Sequence, residues 1–311
     1  MRLFPMPKNA FAGVWMMFLS VFGANAQSSD ESILRTAREN GVYVVDLRNS
    51  GYRIVFPRVR DSQVNYKADY LFSFIAPSGR SLYGVQRLFD SSGHGPTHDS
   101  IVRRPLTGSS LGPEEVVVSP FQNVFAGAVS QNEKYMVVVG RLRDISAETR
   151  TNRDGVYLWD RSTKAVRRVA SAPDAGLTED IRSLSVNDKG DLVVYESRGE
   201  VLRFAASGSR LTQADQHHGR FPVLMPGGVA YVYWDRGWLM MNDAKGKHEL
   251  LPVENVVGAI RVSPTGGLVA FGVESGGNSS LRICEIQTRI CLDGPNYRDW
   301  IPGRETYWMR K

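Results

Sequence analysis

The octapeptide Ala259-Ile260-Arg261-Val262-Ser263-Pro264-Thr265-Gly266 is echoed near the C-terminus by Tyr297-Arg298-Asp299-Trp300-Ile301-Pro302-Gly303-Arg304. Each is an apolar stretch that runs into a turn built on proline and glycine. After the first copy the chain has room for a further set of strands before the pattern returns. After the second it reaches Lys311 with one further strand over residues 305–310. The complementary hairpin stands at the other end. Gly41-Val42-Tyr43-Val44-Val45-Asp46-Leu47 is followed by a turn and by Tyr52-Arg53-Ile54-Val55-Phe56-Pro57, with no inner strands before it. A ring closed by strands from both termini accounts for both ends, because closure removes sheet edges that would otherwise template aggregation. The fold expected is all-β: a six-bladed β-propeller, its last blade closed by strands from both termini.

The same turn recurs through the interior. Phe74-Ile75-Ala76-Pro77-Ser78-Gly79, Ala128-Val129-Ser130-Gln131-Asn132-Glu133, Leu184-Ser185-Val186-Asn187-Asp188-Lys189-Gly190 and Val223-Leu224-Met225-Pro226-Gly227-Gly228 precede the copies above. The anchor positions 77, 131, 187, 226, 264 and 302 are separated by 54, 56, 39, 38 and 38 residues. A period near 40 residues with four short strands per unit is the propeller signature. Between the anchors, Val, Ile, Leu, Phe and Tyr alternate or run together, and Gly, Pro, Asn and Asp punctuate them. Residues 27–40 are expected as a short linker or helix, the helix over Ser29 to Asn40 being capped by Ser29 or Asp30.

Two of these turns carry a resemblance. Ser263-Pro264-Thr265-Gly266-Gly267-Leu268-Val269-Ala270-Phe271 and, less strictly, Ala76-Pro77-Ser78-Gly79-Arg80-Ser81-Leu82-Tyr83 resemble the Ser-Pro-Asp-Gly-Lys-x-Ile-Ala-Phe repeat of TolB-like six-bladed propellers, a WD40-like repeat. The resemblance implies the architecture over residues 41–311. It implies little about activity, since such propellers serve as partner-binding domains, sensors and enzyme covers. TolB itself has an α/β domain before its propeller, and about 15 residues here separate the expected leader from the first strand, so that domain is expected to be lacking.

Residues 1–26 read as a secretory signal. Arg2 and Lys8 form a positive start, residues 10–22 are mainly apolar, and Ala24-Asn25-Ala26 offers small residues at a cleavage site. About 13 apolar residues fall short of the roughly 20 that a membrane span needs. No membrane span is therefore expected after cleavage. Cleavage removes two positive charges and no negative ones, taking the formal charge from +6 to +4. That balance is too mild for a nucleic-acid footprint, and no nucleic-acid partner is expected. Export agrees with the two cysteines. With Gln287-Thr288 as a turn, Cys284 falls opposite Cys291 in an antiparallel pair, within disulfide reach. Such a bond fits an oxidising compartment, and the location expected is periplasmic or secreted.

Function is less legible. Units one and two exceed the later ones by about 16 residues each, and the excess lies between the second and third strands. The two insertions, Asp90-Ser91-Ser92-Gly93-His94-Gly95-Pro96-Thr97-His98-Asp99 and Arg143-Asp144-Ile145-Ser146-Ala147-Glu148-Thr149-Arg150-Thr151-Asn152-Arg153-Asp154, should project from one face. Loops on a rigid scaffold are where function concentrates. The expected contacts to a protein partner in the cell envelope are His94, His98, Arg141, Arg143, Asp144, Glu148, Arg150 and Arg153. His217 and His218 are placed in a connection between blades on the same face. They lie too far round the ring from His94 and His98 for a metal site to be expected, and no cofactor is expected. Gly108-Ser109-Ser110-Leu111-Gly112 has the spacing of a hydrolase elbow but is followed by Pro113 and a strand where a helix is required, so it reads as a turn and no catalytic residue is assigned. The alternative is a metal-dependent lactonase or esterase with an axial site. Its candidates are Asn187, Asp188, Asp180 and Asp299, with Glu179 nearby.

Overall fold

The computed structural model describes residues 33–39, 42–47, 52–57, 68–89, 96–107, 110–117, 120–143, 154–171, 181–208, 210–297 and 307–310. Among these residues the regular secondary structure is entirely β. Five consecutive blades follow one another along the chain. Blade one comprises Ala68–Ile75, Ser81–Phe89, Pro96–Thr107 and Glu115–Val117, with a two-residue strand, Ser110–Leu111, folded against the end of the third. Blade two is Phe121–Val129, Tyr135–Leu142, Asp154–Asp160 and Val166–Ser171. Blade three is Ile181–Val186, Leu192–Ser197, Glu200–Ser207 and Arg210–His218. Arg220–Leu224, Tyr231–Asp235, Trp238–Asp243 and Gly246–Pro252 form blade four. Blade five is Val256–Val262, Leu268–Ser275, Asn278–Glu285 and Cys291–Tyr297. Every neighbouring pair in these blades is antiparallel. The fold is a β-propeller.

A further sheet joins the two ends of the chain, but in different proportions from those expected. It runs Ile33–Glu39, Val42–Leu47, Tyr52–Pro57, Tyr307–Arg310, three strands from one end and one from the other. The stretch expected as a linker or short helix thus contributes a strand. An isolated helix of that length is marginal, whereas pairing with Val42–Leu47 satisfies backbone groups along its length. Tyr297, expected to open an inner strand, ends the outer strand of blade five.

The strand alternation explains why inner sequences read as continuous apolar runs. Successive side chains of a strand point to opposite faces. In Tyr135–Leu142, Met136 and Val138 pack into the core shared with blade one, while Val137 and Val139 pack into the core shared with blade three. In Leu192–Ser197, Val193 and Tyr195 face blade two, whereas Leu192 and Val194 face blade four. In Tyr231–Asp235, Tyr231 and Tyr233 face blade three and Val232 faces blade five. Both faces of a middle blade are buried, so its inner strands are largely apolar on both faces, and the buried polar side chains of Ser185 and Glu196 there accept hydrogen bonds. The hydrophobic cores are therefore the seams between blades, and each fully buried Val or Leu there is worth about 1.5–3 kcal/mol of transfer free energy.

Two buried carboxylates fasten one blade to the next. Asp99 accepts a hydrogen bond from the Val124 backbone N–H at 2.7 Å, and Glu196 accepts one from Phe221 at 2.8 Å. Phe221 has a left-handed backbone (φ 56°) where the pairing of blade four slips register. Neither role is visible in sequence, because each carboxylate acts on a strand of the following blade.

Candidate functional site

The recurring turns share one hydrogen-bond design. In each, the first residue donates its N–H to the carbonyl five residues on, and the fourth residue donates back to the first. The pairs are Ala76 with Ser81 and Gly79, Ser130 with Tyr135 and Glu133, and Asn187 with Leu192 and Gly190; Met225 with Ala230 and Gly228, and Ser263 with Leu268 and Gly266, complete the set. The fourth residue is left-handed in all five: Gly79 (67°), Glu133 (61°), Gly190 (67°), Gly228 (67°) and Gly266 (78°). Glycine adopts this conformation without a Cβ penalty, and four of the five turns use it. Blade two places a glutamate there instead.

At the other seams the glycine is also a packing requirement. A Cβ on Gly190 would lie 2.6 Å from the Tyr135 ring of blade two, and one on Gly228 would lie 2.4 Å from Asn187 Cβ of blade three. One on Gly266 would lie 3.3 Å from Pro226 of blade four. Successive turns therefore lean on one another. Side chains knit them further. Asn132 donates twice to Asp188, from its backbone N–H to Oδ1 and from Nδ2 to the carbonyl. Gln131 Nε2 donates to the Pro264 carbonyl at 3.0 Å, linking the turns of blades two and five.

At the seam of blades one and two, Glu133 reaches over the preceding turn. Its Oε1 accepts from Ser78 Oγ (3.1 Å), and its Oε2 accepts from Ser81 Oγ (2.9 Å), Tyr83 Oη (2.9 Å) and Arg103 Nε (3.0 Å). Arg161, in the turn between the third and fourth strands of blade two, donates through Nη1 to Tyr83 Oη (2.6 Å) and to the Glu133 carbonyl (2.9 Å). Its guanidinium lies 5.5 Å from the centre of the Tyr83 ring. Burial alone would raise the Glu133 carboxyl. The bonds from Ser81, Tyr83 and Arg103 and the Arg103 charge outweigh it and hold the group below the usual carboxylate range. Burial, followed by the Glu133 charge, pushes the Tyr83 phenol upward, so it stays a donor. Burial would lower Arg103, but its bonds and charge interaction with Glu133 raise it.

Beside this network lies a cavity of about 530 Å³ lined by Ser78, Arg80, Arg103, Glu115, Gln131, Asn132, Glu133, Lys134, Arg161 and Ser162. It opens at the turns between first and second strands, the opposite end of the blades from the two long connections of blades one and two. Sequence reading did not single out this site. Its signal was nonetheless present: Glu133 occupies the turn position that the other four turns give to glycine.

The residues expected to meet a partner are only partly described. Arg141 forms a two-pronged pair with Asp154 across adjacent strands, at 2.7 and 2.9 Å. Arg143 is exposed, and its N–H donates to the Pro120 carbonyl at 3.0 Å. His98 lies on the third strand of blade one, at the register of Leu88. His94, Asp144, Glu148, Arg150 and Arg153 lie outside the described residues, as do Asp180, Glu179 and Asp299. His217 and His218 stand on the outer strand of blade three, not in a connection. His217 Nε2 meets Tyr231 Oη at 2.9 Å, and His218 Nδ1 meets Asp235 at 2.6 Å. Asn187 is absorbed by its own turn, accepting from the Asp191 and Leu192 N–H groups. Among the described residues no group of three or more His, Cys, Asp or Glu side chains is arranged to hold a metal. Cys284 and Cys291 are directly opposite and disulfide-bonded, with Cα atoms 4.0 Å apart, in the register expected from sequence.

No family profile matches the sequence, and no curated protein matches it. The fold is similar to that of TolB from Acinetobacter baumannii, at 16% identity and a TM-score of 0.53, over 100% of this chain and 75% of that one. It also aligns with a putative TolB from Agrobacterium tumefaciens, at 10% identity and a TM-score of 0.48, over 78% of this chain and 90% of that one. The Pseudomonas aeruginosa periplasmic gluconolactonase PpgL aligns at 15% identity and a TM-score of 0.42, covering 88% of this chain and 86% of that one. At these identities the likeness to TolB speaks for a TolB-like propeller fold and for nothing about activity. Among the described residues, no helix is long and apolar enough to cross a membrane.

Proposed function

We propose that this protein is an exported, non-catalytic propeller that binds another protein of the cell envelope through the face bearing the long connections of blades one and two. The observation that carries the reading is the contrast between the two ends of the blades. At one end, five turns of near-identical geometry bond to one another and consume Asn132, Asn187 and Asp188 in structural roles. At the other, the connections between second and third strands span six residues in blade one, where the expected loop residues Pro96–Asp99 belong to the third strand, and 11 in blade two, against two in each of blades three to five. Such connections are the customary place for recognition on a rigid scaffold. The disulfide supports an oxidising compartment, and the n-region, apolar run and small residues of 1–26 support export. We take the propeller to span residues 41–311 together with the strand before it, and to close as six blades. Tyr307–Arg310 neighbours the inner strands of blades one and five, which supports that count.

His94, His98, Arg143, Asp144, Glu148, Arg150 and Arg153 are the proposed contacts, with Arg141 anchoring the base of the second loop through Asp154. The enzymatic alternative requires several carboxylate or amide groups gathered on the axis. Engagement of Asn187 and Asp188 in turn bonds weighs against it. The test is affinity capture from envelope extract by the full chain, with and without EDTA, beside a chain whose 90–95 and 144–153 segments are replaced by short Gly-Ser loops. A stoichiometric partner that survives EDTA and is lost with the loops is expected. Retention by the loop variant would end this assignment. A tightly held metal together with lactone or ester turnover would establish the enzyme.

A further inference from the structure

The cavity at the seam of blades one and two has more positive charge than its carboxylates answer. Arg103 is matched by Glu133 and Glu115, at 3.0 and 3.3 Å. Arg80, Lys134 and Arg161 line the same cavity, and among the described residues no carboxylate lies within ion-pair distance of any of them. Lys134 instead holds its ammonium 5.2 Å from the centre of the Tyr135 ring. Arg161 offers a second, independent observation. Its Nη1 is committed to Tyr83 and the Glu133 carbonyl, yet its Nε is buried with no partner among the described residues. Buried donors of charged groups are seldom left unpaired, because the lost hydration is not recovered.

The site is also pre-organised. The turn that carries Asn132, Glu133 and Lys134 is held by its own backbone bonds and by Asp188, and Glu133 is fixed by four donors from blade one. Arg161 is held by Nη1 bonds to Tyr83 and to the Glu133 carbonyl. Ser78 and Ser162 add hydroxyls to the wall. A volume near 530 Å³ is in the range of small-ligand sites. Because planar guanidinium groups and an ammonium suit oxygen anions, the natural complement is a small molecule bearing two or more carboxylate or phosphate groups.

We infer that the cavity bounded by Arg80, Lys134 and Arg161 is a binding site for a small multivalent oxyanion, separate from the face proposed for the protein partner. The carboxylate and phosphate possibilities share one chemistry and are separated by the probes. Citrate and inorganic phosphate are titrated calorimetrically into the full chain at constant ionic strength, with acetate as the single-charge control. Saturable binding at one site is expected, tighter than about 1 mM for at least one of the two, with acetate about tenfold weaker or worse. Citrate ahead of phosphate would mark a carboxylate site, and the reverse order a phosphate site. Arg80→Gln combined with Lys134→Gln removes two exposed cations outside the hydrogen-bonded network. It should weaken binding about tenfold or more without moving the melting temperature of the unliganded protein. Arg161→Lys keeps the charge but removes Nε, and should also weaken binding. No saturable binding of either anion by folded protein would overturn the inference, and so would binding unchanged in both variants.

Discussion

The seam between blades one and two and the seam between blades three and four use the same backbone device for different ends. In each, the left-handed residue of the later turn rests on the turn before it. At the three–four seam that residue is Gly228, pressed so close to Asn187 that a Cβ would sit 2.4 Å away. At the one–two seam it is Glu133, which keeps a φ of 61° and extends its carboxylate to four donors of blade one. A left-handed non-glycine costs about 1–2 kcal/mol. Charge-assisted hydrogen bonds of about 1.5–3 kcal/mol each are large enough to offset that cost. The difference teaches that a repeated turn need not have a repeated role. One copy closes the seam by absence of a side chain, and the other holds open a polar cavity by presence of one.

The comparison can be broken most sharply at Gly228. Gly228→Ala combines left-handed strain with a direct clash and should lower unfolding free energy by about 3 kcal/mol in urea titration. A loss below about 0.5 kcal/mol, the range of ordinary surface changes, would show that the three–four seam is not locked by close packing. At the one–two seam, Glu133→Ala should cost about 2 kcal/mol, because Ser78, Ser81, Tyr83 and Arg103 lose their common acceptor while the backbone strain stays. Glu133→Gly loses the same bonds but relieves the strain. It should therefore be about 1 kcal/mol more stable than Glu133→Ala, and equal stabilities would remove the strain argument.

Acid sharpens the contrast further. The folded Glu133 carboxyl is depressed, so its contribution is fully present above the unfolded value of about 4.3 and is lost as pH falls through the lower folded value. Glu133→Gln should flatten the stability profile over that acid stretch and leave it unchanged near neutrality apart from a constant offset. The smallest effect belongs to the three–four seam. His217 is lowered, first by burial, and its ring stacks on Tyr231 at 6.0 Å between centroids. The neutral ring is the folded form, so stability drops as pH falls from about 6.5 towards the folded value. His217→Gln should remove that shallow slope, worth less than about 1 kcal/mol, while the Glu133-dependent fall below pH 5 or so persists. A single fall removed by either substitution would mean that the two seams do not titrate separately.

Much of this molecule is readable one blade at a time. The turn positions 77, 131, 187, 226 and 264 all fall in the expected place between first and second strands, because proline, glycine and asparagine carry their backbone preferences locally. The pairing of Cys284 with Cys291 was equally legible, since a short turn fixes the register of its hairpin. The division of strands in the sheet that joins the two ends was misjudged. Ile33–Glu39 has too short and too weak a pattern to separate strand from helix without its partner in view.

The cavity escaped sequence reading for a different reason. Glu133 meets donors 50 to 55 residues earlier, or 30 in the case of Arg103. Arg161 meets Tyr83 across 78 residues, and Gln131 meets Pro264 across 133. By itself the amino-acid sequence determined the β class, the repeat, the turn geometry and the cross-strand cysteine pair, all of which depend on neighbours within one blade. Only the tertiary structure decided which turn leans on which and which cations, among the described residues, lie beyond ion-pair distance of a carboxylate. Those outcomes depend on sheet twist and on the stacking of one blade against the next, and no local stretch of chain encodes either.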